Sequence, residues 1–170
     1  VTGEAAALCD RDVIVAPLLR RRIPESIWGQ WLCLVVHPGP PGDRGPASLD
    51  RAVQEGLAEW GVTVLQAEAD FDAGPVWAHR RFPMRAARKS SIYRFEVTEA
   101  ATAAVLEALD RVGDAAFRPP PPAELAAPDA PGWRDPLRRA ERAFDWARDD
   151  TETALRRIRP HCFTKGGDRT

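Results

Sequence analysis

Val35-Val36-His37-Pro38-Gly39, Gly42-Asp43-Arg44-Gly45-Pro46, Trp60-Gly61-Val62-Thr63-Val64-Leu65-Gln66 and Asp72-Ala73-Gly74 are the stretches that decide the fold. The first and third are near-continuous apolar runs rich in β-branched residues, the composition of strands covered on both faces. Each leads to a titratable side chain in a glycine turn: His37 before Pro38-Gly39, and Asp72 before Ala73-Gly74. Between them Leu49, Ala52, Val53 and Leu57 recur at helical spacing. Strands alternating with helices over short connections predict an α/β protein with an open, mostly parallel sheet. Such sheets place ligands at the edge where their strands end.

Working outward, residues 2–9 read as the tail of a helix, and 12–18 as a first buried strand bounded by Asp12 and Leu18. Pro24 suits the first turn of a short helix through Trp28. Residues 31–36 form the next strand, and Gly61 is expected to end the helical unit before a strand over 62–67. Residues 76–82 alternate, with Val76, Ala78 and Arg80 outward, opposite Trp77, His79 and Arg81. From 90 to 112 a long helix is expected, with Ala101, Val105, Leu109 and Val112 as its apolar stripe and Gly113 as its stop. Four prolines, 119–122, open an extended, loosely packed linker. The expected organisation is a domain over 1–117, a Pro-rich linker over 118–134, and the start of a second, truncated domain over 135–170. Trp133 and Trp146 are expected to pack that second segment.

The 170 residues are 44% apolar with a formal net charge of −1. That balance argues against nucleic acid as a partner. No apolar run approaches the roughly 20 residues of a membrane span. Three cysteines without a CxxC spacing, and no signal peptide at the start, place the protein in a reducing compartment, the cytoplasm.

His37 and Asp72 are the candidate catalytic pair. Taken singly, a strand-end histidine and an Asp-Ala-Gly turn are ordinary structural features. If they converge, imidazole can stabilise an oxygen gaining negative charge while the carboxylate sets its tautomer or takes a proton from a nucleophile. That pairing suits acyl or formyl transfer and equally hydrolysis. Arg20-Arg21-Arg22 reads either as a solvated turn or as an anion site for a phosphate or a folate glutamate tail. Asp43-Arg44-Gly45 reads as a local ion pair bracing the loop after His37. No metal site is expected, since the three histidines lie far apart and match no zinc spacing. Ser48 lacks a G-x-S-x-G context, and there is no dinucleotide fingerprint or P-loop.

The pattern His37…Arg44-Gly45…Gly61-Val62-Thr63…Asp72-Ala73-Gly74 resembles the formyltetrahydrofolate-dependent formyltransferases. Arg21-Arg22-Ile23-Pro24-Glu25-Ser26-Ile27-Trp28, His37-Pro38-Gly39 and Arg142-Ala143-Phe144-Asp145-Trp146 are similar to a hydrogenase-maturation subgroup. In that subgroup a formyltransferase-like half is joined to a hydratase-like half. The resemblance implies a Rossmann-like formyltransferase sheet, expected here without its first strand and helix. It implies 10-formyltetrahydrofolate as formyl donor, coenzyme A as an acceptor, and a formyl group destined for the CO ligand of a nickel–iron hydrogenase. The implied partners are folate and a hydratase-like half or hydrogenase-maturation machinery. By analogy the pterin sits near Leu18, Leu19, Arg20, Arg21 and Ile23 and against the loop carrying Glu68, Asp70 and Phe71. The family's Asn-x-His set reads Val35-x-His37 here, so a side-chain donor worth about 3 kcal/mol of transition-state stabilisation is missing. That departure, and Gly39-Pro40-Pro41-Gly42 after the histidine, weigh against a methionyl-tRNA or sugar-amine formyltransferase. They leave open a non-catalytic remnant or folate-binding module.

Overall fold

The strands that carry His37 and its neighbours order the fold. The computed structural model describes residues 13–17, 19 and 21–160. The expected helix tail at 2–9, the ends of the first strand at Asp12 and Leu18, and the tail from 161 lie outside those residues. A four-stranded sheet runs in the order β1 (Val13–Pro17), β2 (Leu32–His37), β4 (Glu59–Gln66), β5 (Val76–Pro83). A short β3 (Asp43–Arg44) pairs in parallel with β6 (Gly132–Trp133).

The class is α/β, but the strand directions depart from a mostly parallel sheet. β1 and β2 are parallel, whereas β2–β4 and β4–β5 are antiparallel. Apolar runs report that both faces of a strand are covered and carry no sign of its direction. The β4–β5 link, residues 67–75, is shorter than the dozen or so that a parallel crossover needs, so it forces an antiparallel return.

Other expectations shift for local reasons. Gly61 lies inside β4 and stops nothing. The short helix after Pro24 forms as α1 (Glu25–Trp28), and the helix before β4, α2 (Ser48–Glu55), ends instead at Gly56, whose φ of 69° suits a left-handed C-cap. In β5 a register shift leaves Trp77 between the Leu65–Val76 and Val64–Ala78 pairs. Val76 and Ala78 are therefore both buried rather than outward.

The long helix forms in three pieces: α3 (Lys89–Ile92), a π-helical turn (Tyr93–Val97) and α4 (Thr98–Val112). Its buried stripe is Ala100, Ala104 and Ala108, one residue before the expected one, and Leu109 is 40% exposed. Three alanines at i, i+4 and i+8 let the helix approach β4 and β5 closely, with Ala101, Val105 and Val112 packing at the margins. Leu34, Val36, Val62, Val64, Ala78, Phe82 and the α2 residues Leu49, Ala52 and Val53 complete this core.

Past the prolines the chain stays on the body. The Val76 N–H donates to Pro120 O at 2.8 Å. After α5 (Pro122–Leu125), β6 joins β3; then follow α6 (Arg139–Arg142) and α7 (Thr151–Ile158), which packs on α2. Trp133 and Trp146 do not pack as expected; they are 50% and 82% exposed. Trp146 meets the Phe144 ring edge-on, at 4.7 Å between centroids.

Enlarging the alanine stripe should strain the α4–sheet contact. Ala104→Leu is expected to lower stability by about 1–3 kcal/mol, read as a lower urea midpoint at unchanged m.

Candidate functional site

His37 ends β2 directly opposite Thr63 of β4, so its ring enters a covered face of the sheet. It is only 4% exposed. Both ring nitrogens meet carboxylates. Nε2 lies 2.9 Å from Asp43 Oδ2, and Nδ1 lies 3.3 Å from Asp72 Oδ1. The convergence that the sequence left conditional is thus present, with a second carboxylate added.

The turn after His37 is fixed by its carbonyls. Ser48 Oγ and Trp60 Nε1 both donate to Pro38 O at 2.8 Å, and Thr63 Oγ1 donates to Gly39 O at 2.7 Å. Gly39 must be glycine for a steric reason. A Cβ there would fall on the Asp43 carboxylate and lie 2.5 Å from His37 Nε2 and 2.6 Å from Ser48 Oγ.

Asp43 is fully buried, a position a carboxylate occupies only when paired. The expected Asp43–Arg44 pair does not form. Asp43 Oδ1 instead binds Arg134 Nη2 at 2.9 Å, delivered by the residue after β6. Arg44 turns the other way and donates from Nε to Phe71 O at 3.0 Å.

Asp72 sits at φ 53°, the left-handed region that aspartate tolerates better than most non-glycine residues. The geometry holds because both carboxylate oxygens are used: Oδ1 faces His37, and Oδ2 accepts the Gly45 N–H at 3.0 Å.

Burial alone would depress His37. The hydrogen bonds and charges of Asp43 and Asp72 outweigh it and lift the imidazole from 6.5 to about 9. Burial would likewise raise Asp72. The His37 hydrogen bond and charge, the Gly45 N–H and Arg44 hold it below its usual 3.8. The site therefore keeps an imidazolium between two carboxylates at neutral pH.

Beside these side chains opens a small, partly open cleft lined by Leu19, Arg21, Ile23, Glu68, Asp70 and Phe71 among others. All the proposed pterin-side residues within the described chain therefore share one wall; Leu18 and Arg20 lie outside the described residues. Val35, Leu65 and Asp72 also line the cleft, whereas His37 stands behind Asp72. Arg22 stacks over the half-exposed Phe71 ring at 4.9 Å.

Sequence reasoning missed Asp43, Ser48, Thr63, Trp60 and Arg134. Asp43 carried one usable signal, a carboxylate wedged between Gly42 and Arg44-Gly45 within reach of a histidine. Arg134 carried none.

The comparisons with known proteins converge on one family. The chain is 56% identical over 158 residues to hydrogenase maturation factor HoxX of Bradyrhizobium diazoefficiens, covering 93% of this chain and 28% of HoxX. It matches the crystal structure of HypX from Aquifex aeolicus in complex with tetrahydrofolic acid at a TM-score of 0.78 and 47% identity, over 86% of this chain and 25% of that one. It is 32% identical over 149 residues to methionyl-tRNA formyltransferase of Paracoccus denitrificans, covering 86% of this chain and 48% of that enzyme. The chain thus spans about a quarter of the first two relatives and half of the third. No protein-family model matches.

The buried imidazolium makes stability depend on pH. Above pH 6.5 an unfolded histidine is neutral, while the folded His37 keeps its proton to about 9. Its contribution, on the order of 3 kcal/mol, is full below pH 6.5 and is lost as pH rises to about 9. The Asp72 contribution runs oppositely, full above 3.8 and lost as pH falls through its lower folded value. Urea midpoints measured from pH 6 to 9.5 should fall for the wild-type chain. His37→Gln should flatten that fall; an equal slope in both proteins would contradict the assignment.

Proposed function

Because the chain belongs to the formyltetrahydrofolate-dependent formyltransferase family, we propose that its cleft takes 10-formyltetrahydrofolate and that Asp72 and His37 carry transfer of the formyl group. The observation that supports this most is the position of Asp72: its carboxylate lines the cleft and at the same time lies 3.3 Å from the buried His37 ring. The cleft suits such a donor. Leu19, Ile23, Val35 and Leu65 offer apolar walls for a ring system, and Arg21 and Arg22 offer charge for a glutamate tail.

Asp72 is the group a nucleophile would meet, so it takes the proton released on attack and returns it to N10 of the leaving tetrahydrofolate as the bond from N10 to the formyl carbon breaks. His37 supplies fixed positive charge just behind, where the tetrahedral oxygen becomes negative. Val35 occupies the position where the family carries an amide donor, so stabilisation falls more heavily on this charge.

We also propose the hydrogenase-maturation setting: coenzyme A as acceptor and the CO ligand of a nickel–iron hydrogenase as the destination of the carbon. The support is likeness to the maturation factors. A hydratase-like half or other maturation machinery is the corresponding partner. Cytoplasmic location rests on the cysteine usage; among the described residues no helix is long and apolar enough to cross a membrane. For organisation we propose the division 1–117, 118–134 and 135–170.

The test is binding of 5-formyltetrahydrofolate by calorimetry, together with turnover of 10-formyltetrahydrofolate with coenzyme A or water as acceptor. Asp72→Asn should reduce turnover about 100- to 1,000-fold and leave binding nearly unchanged. His37→Ala should do likewise. Binding without turnover in the wild-type chain would favour a folate-binding module, which the missing amide at Val35 recommends as the second reading. Absence of binding would overturn both.

A further inference from the structure

Four charged side chains stand in a row of alternating sign. Asp72 faces the cleft, His37 lies behind it, Asp43 behind His37, and Arg134 behind Asp43. The successive separations are 3.3, 2.9 and 2.9 Å. His37 ends β2, Asp43 begins β3, and Asp72 lies in the loop between β4 and β5. The last comes from beyond the proline run, 91 residues along the chain from Asp43.

Arg134 is held as firmly as the others. Its N–H donates to Arg44 O at 2.9 Å, continuing the β3–β6 pairing. Its second guanidinium nitrogen binds Glu55 of α2 at 2.9 Å, and the guanidinium lies over Trp60 at 5.8 Å. Gly45, at φ 109°, lets this segment sit against the loop, since a Cβ there would collide with Arg134 O. The same Gly45 donates its N–H to Asp72. One residue thus joins both ends of the row.

We propose that Asp43 and Arg134 are positioning residues of the formyl-transfer site, Arg134 fixing the Asp43 carboxylate and Asp43 fixing the plane of the His37 ring that meets Asp72. The segment after the prolines is then part of the site it crosses. The proposal rests on the formyl-transfer reading for its kinetic consequence and on geometry alone for the linkage.

The geometry explains why each member is needed. Rotation of Asp43 about χ1 would carry its Oδ2 away from His37 Nε2, and a fully buried carboxylate has no water to replace that partner. Arg134 opposes such rotation by holding Oδ1. With Asp43 fixed, the imidazole has one orientation in which its other N–H points to Asp72. Among the described residues, other charged groups in contact with the row are Arg44 beside Asp72 and Glu55 on Arg134.

The experiment uses the full chain with ¹⁵N-labelled histidine. The three histidines are told apart with His37→Gln. In wild type a downfield Nε2–H proton, hydrogen-bonded to Asp43, should persist at neutral pH. Arg134→Met should broaden or remove that resonance and lower kcat for 10-formyltetrahydrofolate about 10- to 100-fold, with KM within twofold. Arg134→Lys should restore part of both. Asp43→Asn should return the His37 titration toward 6.5. Glu59→Gln, which loses only the exposed ion pair with Arg81, should leave kcat and the resonance unchanged.

An unchanged resonance and kcat in Arg134→Met would overturn the proposal. So would a raised KM at constant kcat, which would make Arg134 a substrate contact. If the wild-type chain does not bind the formyl donor at all, the formyl-transfer reading fails while the resonance still decides the linkage.

Discussion

A positive imidazole enclosed by protein is the constraint around which this structure is arranged. His37 is only 4% exposed, so its charge must be balanced by groups the fold itself supplies. Asp43 and Asp72 balance it directly, and Arg134 balances the second charge that Asp43 brings into the interior. Removing one member of such a set leaves an uncompensated buried charge, a loss of about 3–5 kcal/mol. The row therefore behaves as one unit.

The surrounding backbone follows from that requirement. Pairing His37 with Thr63 across β2 and β4 directs the ring to the cleft side of the sheet. The Pro38-Gly39 turn then has to bring Asp43 back within hydrogen-bond reach, which leaves no room for a side chain at residue 39. Ser48 of α2 and Trp60 and Thr63 of β4 hold the turn by its carbonyls, so two separate elements agree on one loop conformation. A site built this way varies little in geometry, because moving any anchor would strand a buried polar group.

Much of this was legible in the residues, and the failures are instructive. His37 and Asp72 stood out because each follows an apolar run and precedes glycine, a local pattern that fixes where a side chain emerges. The wall residues Leu19, Arg21, Ile23, Glu68, Asp70 and Phe71 came from the family likeness, and all of them line one cleft. Strand direction was not legible, since Val62 and Val64 look alike in parallel and antiparallel neighbours. The α4 stripe was displaced because Ala100, Ala104 and Ala108 are small; hydropathy favours Leu109, but close approach to the sheet favours alanine. Arg134 was invisible because its meaning depends on a partner far away in the chain.

That distance also bears on how the protein is made. Closing a loop of 91 residues costs on the order of 4 kcal/mol of chain entropy, before any constant term. A polypeptide leaving the ribosome with His37 and Asp43 already made lacks the Arg134 guanidinium until 91 residues beyond Asp43 have been added. The sheet can assemble around its apolar residues first, but its most highly charged interior point is completed only when the segment beyond the prolines docks.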